Sequence, residues 1–250
     1  VVFQAATEYN QGAIYIDDIS LLANPNPGQL PEPELPLITV SVDQASERKP
    51  ISNDIYGINY DDNNPTDSTL PFPIERWGGN QTTRYNWKLD VANRADDWFY
   101  MNYPYDNDEP EQLPHGSTSD KFIDRVLGRG NNVLITVPTI GWTPKDREIR
   151  YAFSQKLYGA QQRWSPEVTD AGNGVLANGE HIVGNDPFET SIQVGTEFAT
   201  EWIQHIADRT AGKVRMYALD NEPEIWHVTH RDVHPEAPGY DELWSKTVQY

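Results

Sequence analysis

The sequence predicts a parallel α/β fold, because short apolar strands alternate with amphipathic helices along most of its length. Residues 133–137 form a continuous, mostly apolar run, which is typical of a parallel strand covered on both faces. Residues 119–127 before it carry apolar side chains at helical spacing, and Gly128 follows as a stop signal. A second apolar run begins at Val214 and stops at Asp220. Strands separated by helices in this way favour a parallel sheet.

Further elements continue the pattern in both directions. Residues 55–60 and 74–77 are predicted strands. Two more helices are marked by apolar residues at helical spacing, the first by Phe198, Trp202, Ile203 and Ile206 and the last by Leu243, Trp244 and Val248. The β/α pattern therefore extends from residue 51 to residue 250.

The N-terminal region has a different organisation. Residues 1–22 are predicted to be the end of a β-sandwich module, with a change of strand phase around Asp17 and Asp18. The segment resembles the last strand of a carbohydrate-binding module, although the last strand of any other sandwich fits it nearly as well. Residues 23–36 form a proline-rich linker, which favours an extended and semi-rigid spacer. Residues 37–42 alternate in hydrophobicity as a strand does. Since the chain opens with Val1 inside strand-like sequence, we interpret it as a fragment whose export signal lies upstream.

The composition excludes several classes of function. With 38 acidic against 19 basic residues, the formal net charge is −19, which repels nucleic acid and anionic membranes but leaves a neutral polysaccharide unaffected. The 8 Trp, 13 Tyr and 7 Phe residues could stack on sugar faces or build a core. Cysteine is absent, which excludes thiolate catalysis and disulfides. No apolar run approaches the length that spans a membrane.

The most informative motif lies where the strand that begins at Val214 ends, in Asp220-Asn221-Glu222-Pro223. Because proline disfavours helix at the residue before it, we expect Glu222 to be extended and to project from the strand. A glutamic acid there could protonate a leaving glycosidic oxygen, while the neighbouring amide holds a sugar hydroxyl. The motif predicts a glycosidase.

Four ordered blocks of sequence carry a resemblance to a known family. They are ISNDIYGINY at residues 51–60, ERWGGNQTTRYNW at 75–87, NVLITVPTIGW at 132–142 and ALDNEPEIWHVTHRDVHP at 218–235. Together they resemble glycoside hydrolase family 44, whose members are retaining endo-β-1,4-glucanases and xyloglucanases built on a TIM (β/α)8 barrel. The resemblance implies that residues 37–50 belong to a flanking β-sandwich and that residues 51–250 form the first half of the barrel, about strands 1–4. A half-barrel alone is expected to be inactive and poorly soluble.

The resemblance also implies roles for particular residues. Glu222 would be the acid/base and Asn221 would bind the sugar beside the scissile bond. Arg76 would hold the nucleophile ionised, and that nucleophile would follow Tyr250 in strand seven. From the residues alone, Asn221 could instead be a turn former, and Arg76 could form a salt bridge at the barrel mouth with Glu75 or another acid. Two acidic neighbours compete with Glu222, of which Asp220 is expected to make structural hydrogen bonds and Glu224 to lie on the loop after the proline.

Five further residues are candidates for substrate binding: Asn80, Trp87, Trp142, Trp226 and His230. A tryptophan is more often a core residue than a sugar platform, so Trp87 could serve either role. Gly78 and Gly79 would allow the backbone to approach a ligand closely. His230 and Trp226 would line the cleft or brace Glu222.

Metal binding is considered at two places. His227, His230 and His234 have ligand-like spacing, but the nearby prolines indicate a loop, so we predict no metal there. The oxygen-rich turns at Asn185-Asp186 and Asp17-Asp18 could hold structural calcium, although an Asx cap explains the former equally well. No nucleotide or redox motif is present, so no cofactor is expected. The long segment 143–187 is expected to form active-site loops.

The sequence therefore predicts a secreted, multi-domain hydrolase of β-1,4-glucan or xyloglucan that is monomeric at full length. Two alternatives stay open. One is a non-catalytic glycan-binding protein, and the other is a related barrel hydrolase acting on mannan or xylan.

Overall fold

The computed structural model describes residues 48–59 and 72–250. The predicted β-sandwich tail, the linker, the strand at 37–42 and the Asp17-Asp18 turn lie outside these residues. One compact unit comprises Asn53–Tyr250. None of the helices in the described part is long and apolar enough to cross a membrane.

The strands, numbered in chain order, are β1 Gly57–Asn59, β2 Ile74–Trp77, β3 Tyr85–Asn86, β4 Val91–Asn93, β5 Met101–Pro104, β6 Asn132–Val137, β7 Trp142–Pro144, β8 Arg150–Tyr151, β9 Ser191–Gln193 and β10 Met216–Leu219. The α-helices are α1 Thr118–Gly128, α2 Gln155–Tyr158, α3 Thr196–Thr210, α4 Trp226–Thr229 and α5 Tyr240–Gln249. Short 3-10 helices span Asn53–Ile55, Asn80–Arg84, Asp96–Trp98, Pro110–Gln112, Pro187–Glu189 and Pro223–Ile225.

The central element is a four-stranded sheet in the order β1-β2-β6-β10 in which every pair is parallel. In its register Arg76 of β2 lies opposite Asn59 of β1 on one side and Leu134 of β6 on the other. α1 connects β2 to β6 and α3 connects β6 to β10, as crossovers between parallel strands require. The predicted parallel α/β arrangement is therefore confirmed for these strands.

Two smaller antiparallel sheets accompany the parallel one. β3, β4, β5 and β8 form the first, and β7 with β9 forms the second. The sequence carries no clear signal for these two sheets, because their strands are two to four residues long and lie inside segments with loop composition. Their strands belong to the connections that follow β2 and β6 in the chain.

The main core lies between the parallel sheet and the helices α1 and α3. Phe122, Ile123 and Val126 of α1 and Trp202 and Ile206 of α3 are buried in it. The sheet contributes Trp77, Val133, Ile135 and Val137. Helix α1 begins at an N-cap, where the Ser117 side chain accepts a hydrogen bond from the Asp120 amide. The apolar positions that predicted both helices are thus their core-facing positions.

Several predicted boundaries are wrong by a few residues. Val214 is buried but precedes β10, which begins at Met216. Gly128 is the last residue of α1 and not a residue beyond it. The first strand begins at Gly57 and not at Ile55, which ends a 3-10 helix, and the predicted last residue, Tyr60, lies outside the described residues. Strand ends are set by pairing in the sheet, which the apolar pattern alone does not specify.

Candidate active site

Asp220 anchors the turn that follows β10. Its Oδ2 accepts hydrogen bonds from the backbone amides of Thr139 and Ile140, at 2.5 and 3.1 Å, and from the Thr139 hydroxyl. Its Oδ1 accepts one from the Asn221 amide at 2.8 Å. Burial raises the pKa of this carboxyl above its usual range, although these hydrogen bonds act in the opposite direction. The predicted structural role of Asp220 is confirmed.

Asn221 is the centre of a hydrogen-bond network that joins β10 to β2. Its Oδ1 accepts from the Arg76 guanidinium at 2.8 Å and from the Gly79 amide at 3.2 Å. Its Nδ2 donates to Asn80 Oδ1 at 3.2 Å and to Glu222 Oε2 at 3.1 Å. The structure thus brings Arg76, Asn80, Asn221 and Glu222 together.

The alternative pairing of Arg76 with Glu75 is wrong. Consecutive residues of a strand point to opposite faces, and Glu75 lies on the other side of the sheet from Arg76. There its carboxylate lies 3.8 Å from Arg125 and 3.5 Å from Arg129. Arg76 is therefore available to the Asn221 network.

Glu222 is exposed at the carboxyl end of the parallel sheet, but its backbone is not extended as predicted. Its φ of 46° and ψ of 54° place it in the left-handed region. Pro223 begins the 3-10 helix Pro223–Ile225 directly afterwards. Pro223 disfavours the right-handed helical region for Glu222, and in the tight turn between Asp220 and Pro223 the residue is left-handed. Such a backbone is strained for a residue other than glycine, which is common at functional sites.

Gly78 makes room for the Arg76 guanidinium, because a Cβ built on Gly78 would lie 2.4 Å from Cζ of Arg76. Gly78 and Gly79 also line a cavity, so the close approach of a ligand to their backbone stays a prediction. Gly79 has a φ of 102°, which favours glycine, and its amide donates to Asn221. The pair of glycines therefore shapes the Arg76–Asn221 contact.

A cavity of about 600 Å³ lies beside this network. Its lining includes Asn80 together with Trp98, Tyr103 and Glu167. The Tyr103 hydroxyl donates to Glu167 Oε2 at 2.8 Å, and Trp98 Nε1 lies 3.2 Å from the Tyr103 oxygen. Aromatic faces mixed with carboxylates and amides form a lining that suits a neutral sugar.

Sequence reasoning missed Trp98, Tyr103 and Glu167. The segment Asp96–Trp98 joins two acidic residues to a tryptophan, which is an aromatic and polar combination typical of a ligand site. The sequence therefore contains a sign of a ligand site at Asp96–Trp98. Only the antiparallel sheet that contains β4 and β5 shows that this segment lies near the end of β2. Asp97 there accepts a 2.9 Å hydrogen bond from Asn80.

Two predicted substrate contacts are corrected. Trp87 is 6% exposed, packs in the main core and donates its Nε1 hydrogen to the Phe198 carbonyl at 3.0 Å. Trp226 is fully buried in a small cluster with Ile140 and Val233. Both rings are therefore core residues, where burial of their large apolar surface stabilises the fold. Trp142 is half-buried, with its ring centroid 5.1 Å from that of Phe188.

His230 is also buried completely, so it does not line the cleft. Burial, with the nearby Arg84 guanidinium, lowers the pKa of its imidazole well below the ordinary value. Arg84 forms a buried ion pair with Asp232 at 2.6 Å and donates to Ser191 at 2.6 Å. These contacts hold the segment after Glu222 against the segment after β2.

The structure also describes one of the two places where calcium was considered. Asp186 accepts a 2.9 Å hydrogen bond from the Phe188 amide, and Asn185 donates to the Asp232 carbonyl at 2.7 Å. The Asx cap is therefore present, and calcium at this turn stays a prediction. Among the described residues, the side chains of His227, His230 and His234 do not form a group that could hold a metal ion.

Comparisons with known proteins agree on one family. The model of glycoside hydrolase family 44 matches residues 91–250. Endoglucanase A of Paenibacillus lautus is 27% identical over 226 residues, which cover 84% of this chain and 29% of that protein. The blocks at residues 51–60 and 75–87 precede the range that the family model matches.

Two solved structures are similar to this one. CelM2, a bifunctional glucanase-xylanase from a metagenome library, has a TM-score of 0.74 and 38% identity over 81% of this chain. A family 44 xyloglucanase from Paenibacillus polymyxa has a TM-score of 0.57 and 28% identity, again over 81% of this chain. These alignments cover 40% and 38% of the two chains, so this chain spans less than half of each. Such enzymes have a TIM-barrel-like α/β fold.

Proposed function

Because this chain belongs to glycoside hydrolase family 44, we propose that it carries the acid/base part of a retaining endo-hydrolase of β-1,4-glucan or xyloglucan. The observation that supports this most directly is the place of Glu222. It is exposed at the carboxyl end of β10 and hydrogen-bonded to Asn221, which Arg76 holds in position. Active sites of barrel enzymes lie at this end of the strands.

Glu222 would act in both steps of the reaction. As an acid it protonates the glycosidic oxygen while a nucleophile attacks the anomeric carbon. As a base it then takes a proton from the water that releases the glycosyl-enzyme. The Asn221 amide donates to Glu222 Oε2, which leaves Oε1 for the transferred proton.

Asn221 would position both Glu222 and the sugar. Its carbonyl oxygen is occupied by Arg76 and Gly79, so its Nδ2 hydrogens face Glu222 and Asn80. Substrate hydroxyls entering between these two residues would compete for the same hydrogens. Asn80, Trp98 and Tyr103 would hold sugar units further along the cavity.

The second carboxylate of the retaining pair is assigned to a residue that follows Tyr250, as the family resemblance implies. A retaining mechanism needs the two carboxyl groups about 5–5.5 Å apart. The four parallel strands would then be the first half of a barrel, and the later strands would bring the nucleophile to Glu222. This chain without the later strands would be inactive.

Replacing Glu222 by Gln in the full-length protein tests the proposal. General acid catalysis contributes about 10²–10⁴-fold, so kcat on a soluble β-glucan should fall by that factor while oligosaccharide binding persists. Glu224→Gln is the matched control, because Glu224 is exposed two residues further on. Equal activity of the E222Q variant and the wild type would reject the role of Glu222. Loss of binding together with activity would show that Glu222 holds the substrate and would contradict the assigned role as well. Glycan binding by the full-length wild type without any hydrolysis would favour a non-catalytic glycan-binding protein.

A xylan or mannan backbone is the second candidate substrate. The likeness to a glucanase-xylanase favours testing xylan first. Product analysis on β-glucan, xyloglucan, xylan and mannan would separate the candidates. We further propose that the protein is secreted, is monomeric at full length and needs no cofactor for hydrolysis.

A further inference from the structure

A second group of polar side chains lies on the outer side of the core, where the N-terminus of α1 meets α3. His115, Asp120 and His205 each offer one ligand atom, and these three atoms all lie within 4.8 Å of one another. The imidazole rings of His115 and His205 have centroids 5.2 Å apart. None of the three contributes to the proposed hydrolysis.

The distances within the group suit a small divalent cation. His205 Nε2 lies 3.0 Å from Asp120 Oδ1 and 3.2 Å from Oδ2. Two ligands that are each about 2.0–2.1 Å from a tetrahedral zinc ion stand roughly 3.4 Å apart, so this pair is already at ligand spacing. His115 is exposed, and its ring can close the remaining gap by a side-chain rotation.

Asp120 is the fixed point of the group. Its side chain is 1% exposed, and its Oδ2 accepts a 3.1 Å hydrogen bond from the Gly116 amide. His205 is 10% exposed, held on α3, and its ring centroid lies 5.4 Å from that of Trp87. Two ligands are therefore preorganised and partly desolvated, which is what a metal site requires.

A positive charge already lies beside the carboxylate. Arg209 Nε is 3.2 Å from Asp120 Oδ1, and the same guanidinium contacts the exposed Asp124 at 2.6 Å. Arg209 thus compensates part of the buried charge and competes with a metal ion for Asp120. Because it has Asp124 as a second partner, it can turn away from Asp120 without losing every ion pair.

We propose that His115, Asp120 and His205 bind one zinc-like divalent cation, with water as the fourth ligand. Two imidazoles and one carboxylate with an open position match the ligands that zinc takes in proteins. The cation would connect the loop before α1 to α3 and stabilise the folded chain, because it binds the native arrangement and not the unfolded one. The site is structural and separate from Glu222.

Calorimetric titration of the protein with ZnCl2 tests this inference. The wild type should bind one Zn²⁺ with a rise in Tm. His115→Ala should weaken binding by at least about 10–100-fold, since even partners that only support a ligand have effects of that size. His115 is exposed, so the variant should keep the Tm of the metal-free wild type. Arg209→Gln should tighten binding, because it removes the competing cation.

Histidines elsewhere on the surface provide the matched control. His181→Ala, at an exposed histidine outside the group, should bind Zn²⁺ as the wild type does. Equal weakening in the H115A and H181A variants would show non-specific histidine binding and overturn the inference. Absence of binding, or unchanged binding in H115A, would overturn it as well.

Discussion

The Arg76 guanidinium donates a 2.8 Å hydrogen bond to the side-chain oxygen of Asn221, 145 residues further along the chain. This contact joins the carboxyl ends of β2 and β10, which are separated in the sheet by β6. It fixes the orientation of the Asn221 amide, so that the amide hydrogens face Glu222 and Asn80. The acid/base candidate is therefore positioned by a residue of a different strand.

Gly78→Ala should lower activity without lowering stability. The new Cβ would lie 2.4 Å from Cζ of Arg76 and would displace the guanidinium from Asn221. Misplacement of about 1 Å at a catalytic group can cost about 10²-fold, which sets the expected upper limit of the fall in kcat/KM. Gly128→Ala is the control, because a Cβ there meets nothing within 4 Å. A fall in both variants, or in neither, would contradict the role given to Arg76.

Trp98→Ala should weaken substrate binding by about tenfold, which corresponds to the loss of roughly 1.4 kcal/mol of apolar contact. Trp98 lines the cavity beside Asn80, and its ring offers a flat face. Trp244→Ala is the matched control, since that ring is 69% exposed on α5 and does not line the cavity. Oligosaccharide titration measures both dissociation constants. An unchanged constant in the W98A variant would remove Trp98 from the binding site.

Removing the acidic partner should cost more stability in the buried ion pair between Arg84 and Asp232 than in the half-exposed ion pair between Arg150 and Asp146. Both side chains are at most 1% exposed, so Asp232→Ala leaves an uncompensated buried charge and should cost about 3–5 kcal/mol. Asp146→Ala removes a partner of Arg150 in a pair that is 35% exposed on each side, and should cost about 0–1 kcal/mol. Urea unfolding of both variants gives the comparison. If both variants lose a similarly small unfolding free energy, Arg84 is not left as an uncompensated buried charge, and the prediction is contradicted.

His230 should make stability fall in weak acid. Burial lowers the pKa of its imidazole in the folded protein, so the unfolded chain takes up a proton first as the pH drops. The stability from neutral His230 is fully present above the unfolded pKa of about 6.5 and declines below it, by up to about 1.4 kcal/mol per pH unit. His230→Leu should flatten the dependence of unfolding free energy between about pH 6.5 and pH 5, and His181→Ala should not. An unchanged slope in the H230L variant would show that His230 is hydrated.

The elements that could be predicted from the sequence are those whose signal is local. The apolar residues of α1 and α3 recur at helical spacing because they face one core, and β6 is apolar because both of its faces are covered. The carboxylate at the end of β10 could be placed for the same reason, since a strand followed by proline has a definite end. Asp220 also has the expected structural role.

The residues that could not be predicted depend on contacts distant in sequence. Trp87 and Trp226 carry no local sign of whether they face the core or the cleft, and only the packing of α3 and of Val233 decides it. Trp98 reaches the cavity because three short strands fold back on one another. Glu222 takes its left-handed backbone in a tight turn where Asp220 also has a positive φ, of 61°, and the effect of a following proline does not by itself predict such a turn.

Azide rescue of Glu222→Ala in the full-length protein tests the acid/base role most directly. An aryl β-glucoside oligosaccharide with a good leaving group needs no protonation, so the variant should still form the glycosyl-enzyme and release it slowly. Azide should then restore turnover and give a β-glycosyl azide, which proton NMR identifies by its anomeric configuration. No rescue, or an α-glycosyl azide, would contradict the assignment of Glu222 as the acid/base of a retaining enzyme.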